Sequence, residues 1–254
     1  MIASLMLAAA IGPLTSPPPA TQPAVTDPAA FVAQIETAHG GADVYYAKPA
    51  IKAQVVVEFG GAVRHDGPMW YLPPAHVTRL ESGGQTIVFD GETCHVAPAA
   101  EADPSDRFAA LTWPYFFAAP FKLDDDGVTL ADGGMQPLTG DPQPTISLTF
   151  GDGVGDAPDD WYLVWKNDDG SLAALAYIVT FGGGPPEPHV ALYSDYVDVG
   201  GNALPTKLTF YDWSPEKGVF GDPLGVVTVA SYEVVDPPAG AFEAPEGSVE
   251  VPLP

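Results

Sequence analysis

Histidine, cysteine and serine side chains are the groups of this sequence that could carry out acid–base, nucleophilic or metal chemistry. No H-x-x-x-H or C-x-x-C pair is present, so a zinc site is not predicted, and no G-x-S-x-G nucleophile elbow occurs. The single cysteine, Cys94, stands next to His95, but adjacent residues of a strand point to opposite faces, which favours a buried thiol over a nucleophile. The sequence therefore predicts no catalytic residue, no metal ligand and no cofactor. The five histidines are scattered: His39, His65, His76, His95 and His189.

Carboxylates are abundant, with 33 acidic against 9 basic residues and a net charge of −24. They cluster at 124–126, at 156–160 and at 168–169, but none of these clusters has the spacing of an EF-hand loop. Solvated turns are the favoured interpretation, and calcium binding is the alternative. Because nucleic acids and anionic membranes attract clustered Lys and Arg, the charge argues against both as partners.

A glycine-rich segment at 151–155 follows a predicted strand and has some likeness to a phosphate-binding loop. A dinucleotide fold would need a helix next, whereas the residues that follow lead into another strand. The segment is therefore predicted to be an ordinary loop.

The most unusual stretch is aromatic and runs from Trp113 to Leu123 with a single charged side chain. Pro114 and Pro120 predict that it is neither one long helix nor a central strand, so it should be a covering element. Such a segment forms either ordinary core or the wall of a pocket for a hydrophobic ligand. Its aromatic residues are Trp113, Tyr115, Phe116, Phe117 and Phe121.

One amphipathic helix and many strands are predicted around this segment, and Ser105-Asp106 is a candidate cap for a short helix through Phe108 and Leu111 that leads into it. Asp27 is a suitable N-cap, Pro28 suits the first helical position, and Gly40-Gly41 should end the helix. From Lys52 to Phe59 the apolar residues alternate with period two, as in a half-buried strand. Short loops and the lack of helical patterns after about residue 120 predict an antiparallel sheet. The remaining strands are predicted at 69–72, 77–81, 85–89, 93–96, 128–130, 145–150, 161–166, 172–181, 190–196, 203–211 and 225–234.

Two of these strands, 161–165 and 172–181, are apolar on both faces and should be central strands, covered on one side by the helical pieces. Part of their apolar surface is a candidate for the lining of a cavity. Trp161, Trp165 and Tyr177 accordingly join the five aromatic residues as predicted ligand-binding residues.

The termini predict export. Residues 1–15 form a short apolar run of signal-peptide type, too short to span a bilayer, and no cysteine for lipid attachment follows. Residues 16–27 have the composition of a proline-rich linker, 28–245 form the predicted domain, and 246–254 form a tail. A periplasmic or secreted monomer is predicted.

The order of these parts resembles the LolA/LolB superfamily of periplasmic lipoprotein carriers and lipoprotein-sorting proteins, and more closely a LolA-like bacterial family of uncharacterised function. The likeness covers about residues 28 to 245. It rests on Ala38-His-Gly-Gly41, Pro114-Tyr-Phe-Phe117, Pro120-Phe-Lys-Leu123, Gly153-Val-Gly-Asp156, Pro158-Asp-Asp-Trp-Tyr162, Tyr177-Ile-Val-Thr-Phe181, Pro205-Thr206 and Phe210-Tyr-Asp-Trp213.

The resemblance implies a mainly β (α+β) fold: a large curved antiparallel sheet, or incomplete β-barrel, with an N-terminal helix and short helices covering its concave face. It also implies an apolar cavity under the helices, which holds lipid chains in the characterised carriers. The predicted function is binding of a lipid, an acyl chain or another hydrophobic molecule without catalysis, with a lipoprotein as a further possible partner. A non-catalytic structural or interaction module of the cell envelope, filled by its own side chains, is the alternative.

Overall fold

The structure is a computed structural model of the whole chain. The predicted signal-peptide-like segment 1–15 lies, except for Thr15, outside the described residues, and so does part of the predicted linker. Among the described residues, no helix is both long and apolar enough to cross a membrane. The described residues are 15–18, 20, 24–73, 76–151, 153, 155–157, 159–181 and 186–253.

The first helix, α1 (Pro28–Ala38), confirms the prediction at both ends. The Asp27 carboxylate accepts a hydrogen bond from the amide of Ala30 at 3.0 Å, and Pro28 occupies the first turn. The helix ends where Gly40 adopts a φ of 90°, a conformation that favours glycine. A second helix, α2 (Ala42–Tyr46), was not predicted, because five residues are too short to show a helical period.

The prediction that prolines prevent a long helix in the aromatic segment is wrong. Helix α3 (Pro104–Ala118) continues through Pro114, and a 3-10 helix (Ala119–Phe121) follows directly. A proline inside a helix removes one backbone hydrogen bond, but tertiary packing outweighs this loss, since Phe116 and Phe117 are buried in the core. The helix also begins earlier than predicted, at a capping box between Asp103 and Asp106.

Thirteen strands form within the described residues. All twelve predicted strands are present, most of them with shifted ends, and β13 was not predicted. After the 3-10 helix (Ala119–Phe121) the described chain contains no further helix, as predicted. The strands are β1 (Ile51–Phe59), β2 (Ala62–Leu72), β3 (Val77–Ser82), β4 (Gln85–Phe89), β5 (Cys94–Ala97), β6 (Val128–Gln136), β7 (Gln143–Phe150), β8 (Trp161–Lys166), β9 (Leu172–Tyr177), β10 (His189–Val199), β11 (Asn202–Ser214), β12 (Gly218–Val234) and β13 (Val249–Val251).

All thirteen strands belong to one antiparallel sheet, in the order β13-β5-β4-β3-β2-β1-β12-β11-β10-β9-β8-β7-β6. Successive strands are neighbours except where β1 pairs with β12 and where β13, from the segment 246–254, pairs with β5. The sheet is curved and not closed, with β13 and β6 as its edges. The predicted fold class is therefore confirmed.

The sheet carries apolar clusters on both faces. The larger cluster lies between the sheet and the helices and includes Ile35 of α1 and Phe117 of α3. The smaller one holds Trp161, Trp165 and Trp213. Alternate residues of β8 belong to different clusters, so this strand is buried on both sides, as predicted. In the strand order, however, β8 and β9 lie near the β6 edge, because the long strands β10–β12 and the β1–β5 meander occupy the other side.

Candidate functional site

A pocket of about 470 Å³ opens between α3 and the surrounding strands. One wall is a face of α3 on which residues recur every three or four positions. The opposite walls come from β2, β3, β4, β6 and β7 and from the segment after β9. The α3 wall consists of Phe108, Leu111, Tyr115 and Ala118, and the apolar residues facing it are Leu72, Val77, Phe89, Val128, Phe150 and Phe181.

Of the five aromatic residues in the predicted segment, Tyr115 lines this pocket. Phe116, Phe117 and Phe121 are at most 4% exposed and belong to the core between the helices and the sheet. Trp113 is half-buried and packs against the ring of Phe59 at a centroid distance of 5.9 Å. Three of the five side chains therefore fill the core, Trp113 packs against this core, and Tyr115 lies on the pocket wall.

The other three predicted residues, on β8 and β9, are placed on two different faces. Tyr177 lies on the helix side and contacts the ring of Phe116 at 5.2 Å. Trp161 and Trp165 lie in the cluster on the other side of the sheet, where the indole of Trp165 donates a hydrogen bond to the carbonyl of Gln136 at 3.3 Å. The structure therefore does not bring these two tryptophans to the pocket.

Charged residues lie at one end of the pocket, after the C-terminus of α3. The Lys122 ammonium forms an ion pair with Asp125 and lies 3.3 Å from the ring nitrogens of His76. Asp125 also accepts a hydrogen bond from the hydroxyl of Tyr46 at 3.1 Å. Burial and the neighbouring ammonium both lower the pKa of His76, so its imidazole is neutral at pH 7.

Two phenol groups, Tyr45 and Tyr71, line the same pocket and are 1% and 3% exposed. Their hydroxyls are neighbours, and the pKa of each is raised by burial. Within the described part of the chain, neither hydroxyl has a partner in good hydrogen-bonding geometry. A buried hydroxyl without a partner costs about 1–3 kcal/mol, so polar atoms of a ligand would be favoured here.

Asp160 is a third polar feature of the pocket. One of its carboxylate oxygens accepts hydrogen bonds from the amide and the hydroxyl of Thr180, both at 2.7 Å. Burial raises the pKa of Asp160 to about 6, against the lowering effect of the two hydrogen bonds. Burial also raises the pKa of Tyr115, and the charges of Asp125 and Asp160 add to this effect.

Catalytic chemistry has little support in this arrangement. The Arg107 guanidinium donates to both oxygens of Asp156, at 2.6 and 3.1 Å, which is a structural ion pair between α3 and the loop before β8. Burial raises the pKa of the Cys94 thiol to about 12, so this cysteine is not a thiolate nucleophile at neutral pH. No group of three or more His, Cys, Asp or Glu side chains in the described ranges could hold a metal ion.

His39, in the motif that resembles LolA-like proteins, has a structural role. Its Nδ1 donates to the carbonyl of Ala203 at 2.7 Å, and its Nε2 accepts from the amide of Leu172 at 3.0 Å. The ring is fully buried, and burial lowers its pKa. His39 therefore joins the end of α1 to β9 and β11 as a neutral imidazole.

Several pocket residues were not predicted, because the sequence pattern around each of them is weak. Phe108 and Leu111 were assigned to a short helix but not to a pocket wall, because the continuation of α3 past Pro114 was not expected. Asp160 was one carboxylate among many, and Tyr45 lies on the unpredicted α2. A recurrence at 108, 111, 115 and 118 was the signal that could have identified the α3 wall.

The fold is similar to that of solved structures, whereas no protein-family model and no curated protein matches the sequence. A LolA superfamily protein from Nitrosomonas europaea aligns with a TM-score of 0.56 and 12% identity, covering 86% of this chain and 98% of the other. A DUF1329 family protein from Desulfovibrio piger gives a TM-score of 0.46 and 14% identity over 86% and 98% of the two chains. A structure described as an outer membrane lipoprotein-sorting protein domain, from Vibrio parahaemolyticus, gives 0.43 and 8% identity over 80% and 90%. The similarity to the Nitrosomonas europaea structure shows that this chain has a LolA-like fold.

Proposed function

We propose that this protein binds a lipid or another hydrophobic molecule in the pocket between α3 and the sheet, without catalysing a reaction. The single observation that carries the proposal is the pocket itself, which is walled by apolar side chains of α3 and of five strands. Its volume of about 470 Å³ is typical of small-molecule sites, which measure about 300–1,000 Å³.

The apolar wall gives a source of affinity that needs no polar motif. Each methylene group of an acyl chain contributes about 0.8 kcal/mol when it leaves water for an apolar site. Phe108, Leu111 and Phe150 provide such surface along the pocket. A chain of ordinary length could therefore bind even though the site lacks an arginine or lysine that is free of an acidic partner among the described residues.

The buried hydroxyls of Tyr45 and Tyr71, which meet each other on the pocket wall and have no partner of good geometry in the described part of the chain, favour a ligand over a pocket filled only by the protein's own side chains. The alternative, a structural or interaction module of the cell envelope, draws its support from Phe116, Phe117 and Phe121, which fill the core. These three side chains lie beside the pocket and not in it. A filled core is therefore compatible with an open pocket, because different residues form each of them.

A role in lipid or lipoprotein handling outside the cytoplasm is the biological setting that we infer. The LolA-like fold and the apolar run at residues 1–15 support it. The lipoprotein-sorting description of the Vibrio structure belongs to that protein, and a lipoprotein is for this chain a proposed partner. We infer that the protein acts as a monomer.

Filling the pocket tests the proposal. Leu111 is half-buried on the pocket wall, so Leu111→Trp should occupy space that a ligand would need without opening a cavity. Binding of the uncharged probe N-phenyl-1-naphthylamine, measured by fluorescence, should weaken at least about tenfold, a loss of about 1.4 kcal/mol. The melting temperature should change little.

Val197→Trp is the matched control, since Val197 is 42% exposed on β10 and does not line the pocket. It introduces the same side chain at the surface and should leave probe binding unchanged. Equal probe binding by the wild type and by Leu111→Trp would contradict the proposal and favour the structural module.

A further inference from the structure

We propose that the pocket selects amphiphiles whose polar end is an ammonium group over amphiphiles whose polar end is a carboxylate, an inference that rests on the proposed function. The ligand class is then a long apolar chain with a cationic head. The argument comes from which charges of the pocket are already paired and which are not.

The basic groups near the pocket are neutralised by the protein itself. Lys122 forms an ion pair with Asp125, and Arg107 holds Asp156 with two hydrogen bonds. His76 lies beside the ammonium of Lys122, which disfavours a second positive charge on its ring. A carboxylate head would therefore meet no cation that lacks a counter-charge among the described pocket residues.

Two carboxylates of the pocket, Asp126 and Asp160, are not neutralised by a basic side chain among the described residues. Both line the pocket, and neither forms an ion pair within 4.0 Å in the described part of the chain. The whole molecule adds to this local charge with a net −24. The potential in the pocket is therefore negative, which attracts a cation and repels an anion.

Asp160 combines this charge with aromatic surroundings. Tyr115 and Phe150 line the same pocket, and the ring of Tyr162 lies 5.7 Å from both rings. Aromatic faces beside a carboxylate are a favourable environment for an ammonium group, because the π-electrons and the charge attract the cation together.

Two further observations support a polar ligand end. Thr180 donates both of its hydrogen bonds to the same oxygen of Asp160, so this carboxylate keeps acceptor capacity at its second oxygen. The hydroxyls of Tyr45 and Tyr71, also on the pocket wall, have no partner of good geometry within the described ranges. Both features leave polar capacity that the described part of the chain does not use.

Three probes with the same decyl chain test the inference: decylammonium, 1-decanol and decanoate. Their affinities for the full chain are measured by titration calorimetry at pH 8 and low salt. We expect the ammonium to bind at least about tenfold more tightly than the carboxylate, with the alcohol between them. The preference should shrink as salt is added, because ions screen the charge of the pocket.

Two double variants with the same change in net charge assign the preference to the pocket. Asp126→Asn with Asp160→Asn should reduce it to about twofold or less, a difference below about 0.5 kcal/mol. Asp222→Asn with Asp236→Asn removes two exposed carboxylates outside the pocket and should keep it. Leu111→Trp should abolish binding of the ammonium probe, which separates the pocket from adsorption to an acidic surface.

The outcomes distinguish this inference from the proposed function. Equal affinities for the three probes, or tighter binding of decanoate, would overturn the selection of a cation and leave ligand binding intact. Ammonium binding that persists in Leu111→Trp would overturn it as well. If none of the three chains binds, the proposed function itself is wrong.

Discussion

Asp160 shows at the scale of one residue how the pocket differs from ordinary core. Its carboxylate is held by Thr180 at 2.7 Å, and burial nevertheless raises its pKa from 3.8 to about 6. Between these two pH values the folded protein binds a proton that the unfolded chain does not. The free energy of unfolding therefore falls as pH rises through this window, and at neutral pH the charge destabilises the fold.

Asp160→Asn should for this reason stabilise the protein. The amide oxygen can still accept from Thr180, while the buried charge is removed. We expect the free energy of unfolding to rise by about 1–3 kcal/mol at pH 7.5 and the gain to shrink at pH 5. Denaturant titrations at the two pH values measure both quantities.

The exposed Asp222→Asn serves as the control and should change the free energy of unfolding by no more than about 0.5 kcal/mol. A loss of stability in Asp160→Asn at pH 7.5 would contradict the account. It would mean that the carboxylate stabilises the fold through contacts for which the amide cannot substitute.

The sequence determined the position of individual residues only in part, and the residues themselves explain why. Of the predicted ligand-binding residues, Tyr115 lies on the pocket wall, whereas Phe117 lies in the core. Trp161 and Trp165 are apolar residues on a strand buried on both faces, and composition does not distinguish the faces of such a strand. Because side chains alternate along β8, Trp161 and Trp165 must lie on the opposite face of the sheet from Tyr162. The alternation does not show which of the two faces is covered by a helix.

At the scale of elements, α1 is locked to the hairpin between β10 and β11. The side-chain amide of Asn202 donates hydrogen bonds to the backbone carbonyls of His39 and Gly41, each at 3.0 Å. The Gly40 backbone approaches the hairpin so closely that a Cβ on this residue would overlap the carbonyl oxygen of Gly201. The glycine is therefore needed for the close approach as well as for its positive φ.

Gly40→Ala and Gly41→Ala separate these two requirements. Gly40 has a φ of 90° and Gly41 a φ of 91°, but a Cβ on Gly41 would meet nothing within 4 Å. Gly41→Ala should cost about 1–3 kcal/mol of backbone strain, and Gly40→Ala at least about 2 kcal/mol more, because the hairpin must move. Equal losses in thermal or denaturant unfolding would contradict the packing of α1 on this hairpin.

Element boundaries were predictable where local chemistry decides them. Asp27, Pro28 and the two glycines after His39 mark the ends of α1, and these signals need no tertiary information. The continuation of α3 through Pro114 was not predictable, because it depends on the burial of Phe116 and Phe117 by distant strands. The position of β8 near one end of the sheet likewise depends on pairing across the chain.

For the whole molecule, alternating apolar residues and short loops were sufficient to predict an antiparallel sheet with helical pieces on one side. The single large curved sheet was predicted from the resemblance to LolA-like proteins. The pocket was not predictable in detail, because its shape depends on the curvature of the sheet and on where α3 crosses it. Its walls bring Leu72, Phe108 and Phe150 together from separate parts of the chain. Local sequence patterns do not encode such a meeting.

The central claim is that a hydrophobic chain lies between α3 and the sheet. A crystal grown with ω-bromodecanol tests it most directly, because the anomalous signal of bromine locates the chain. We expect a bromine peak inside the pocket, among Leu111, Tyr115 and Phe150, in the wild type and none there in Leu111→Trp. A wild-type crystal with bromine only on the surface, or with the pocket closed by its own side chains, would contradict the claim.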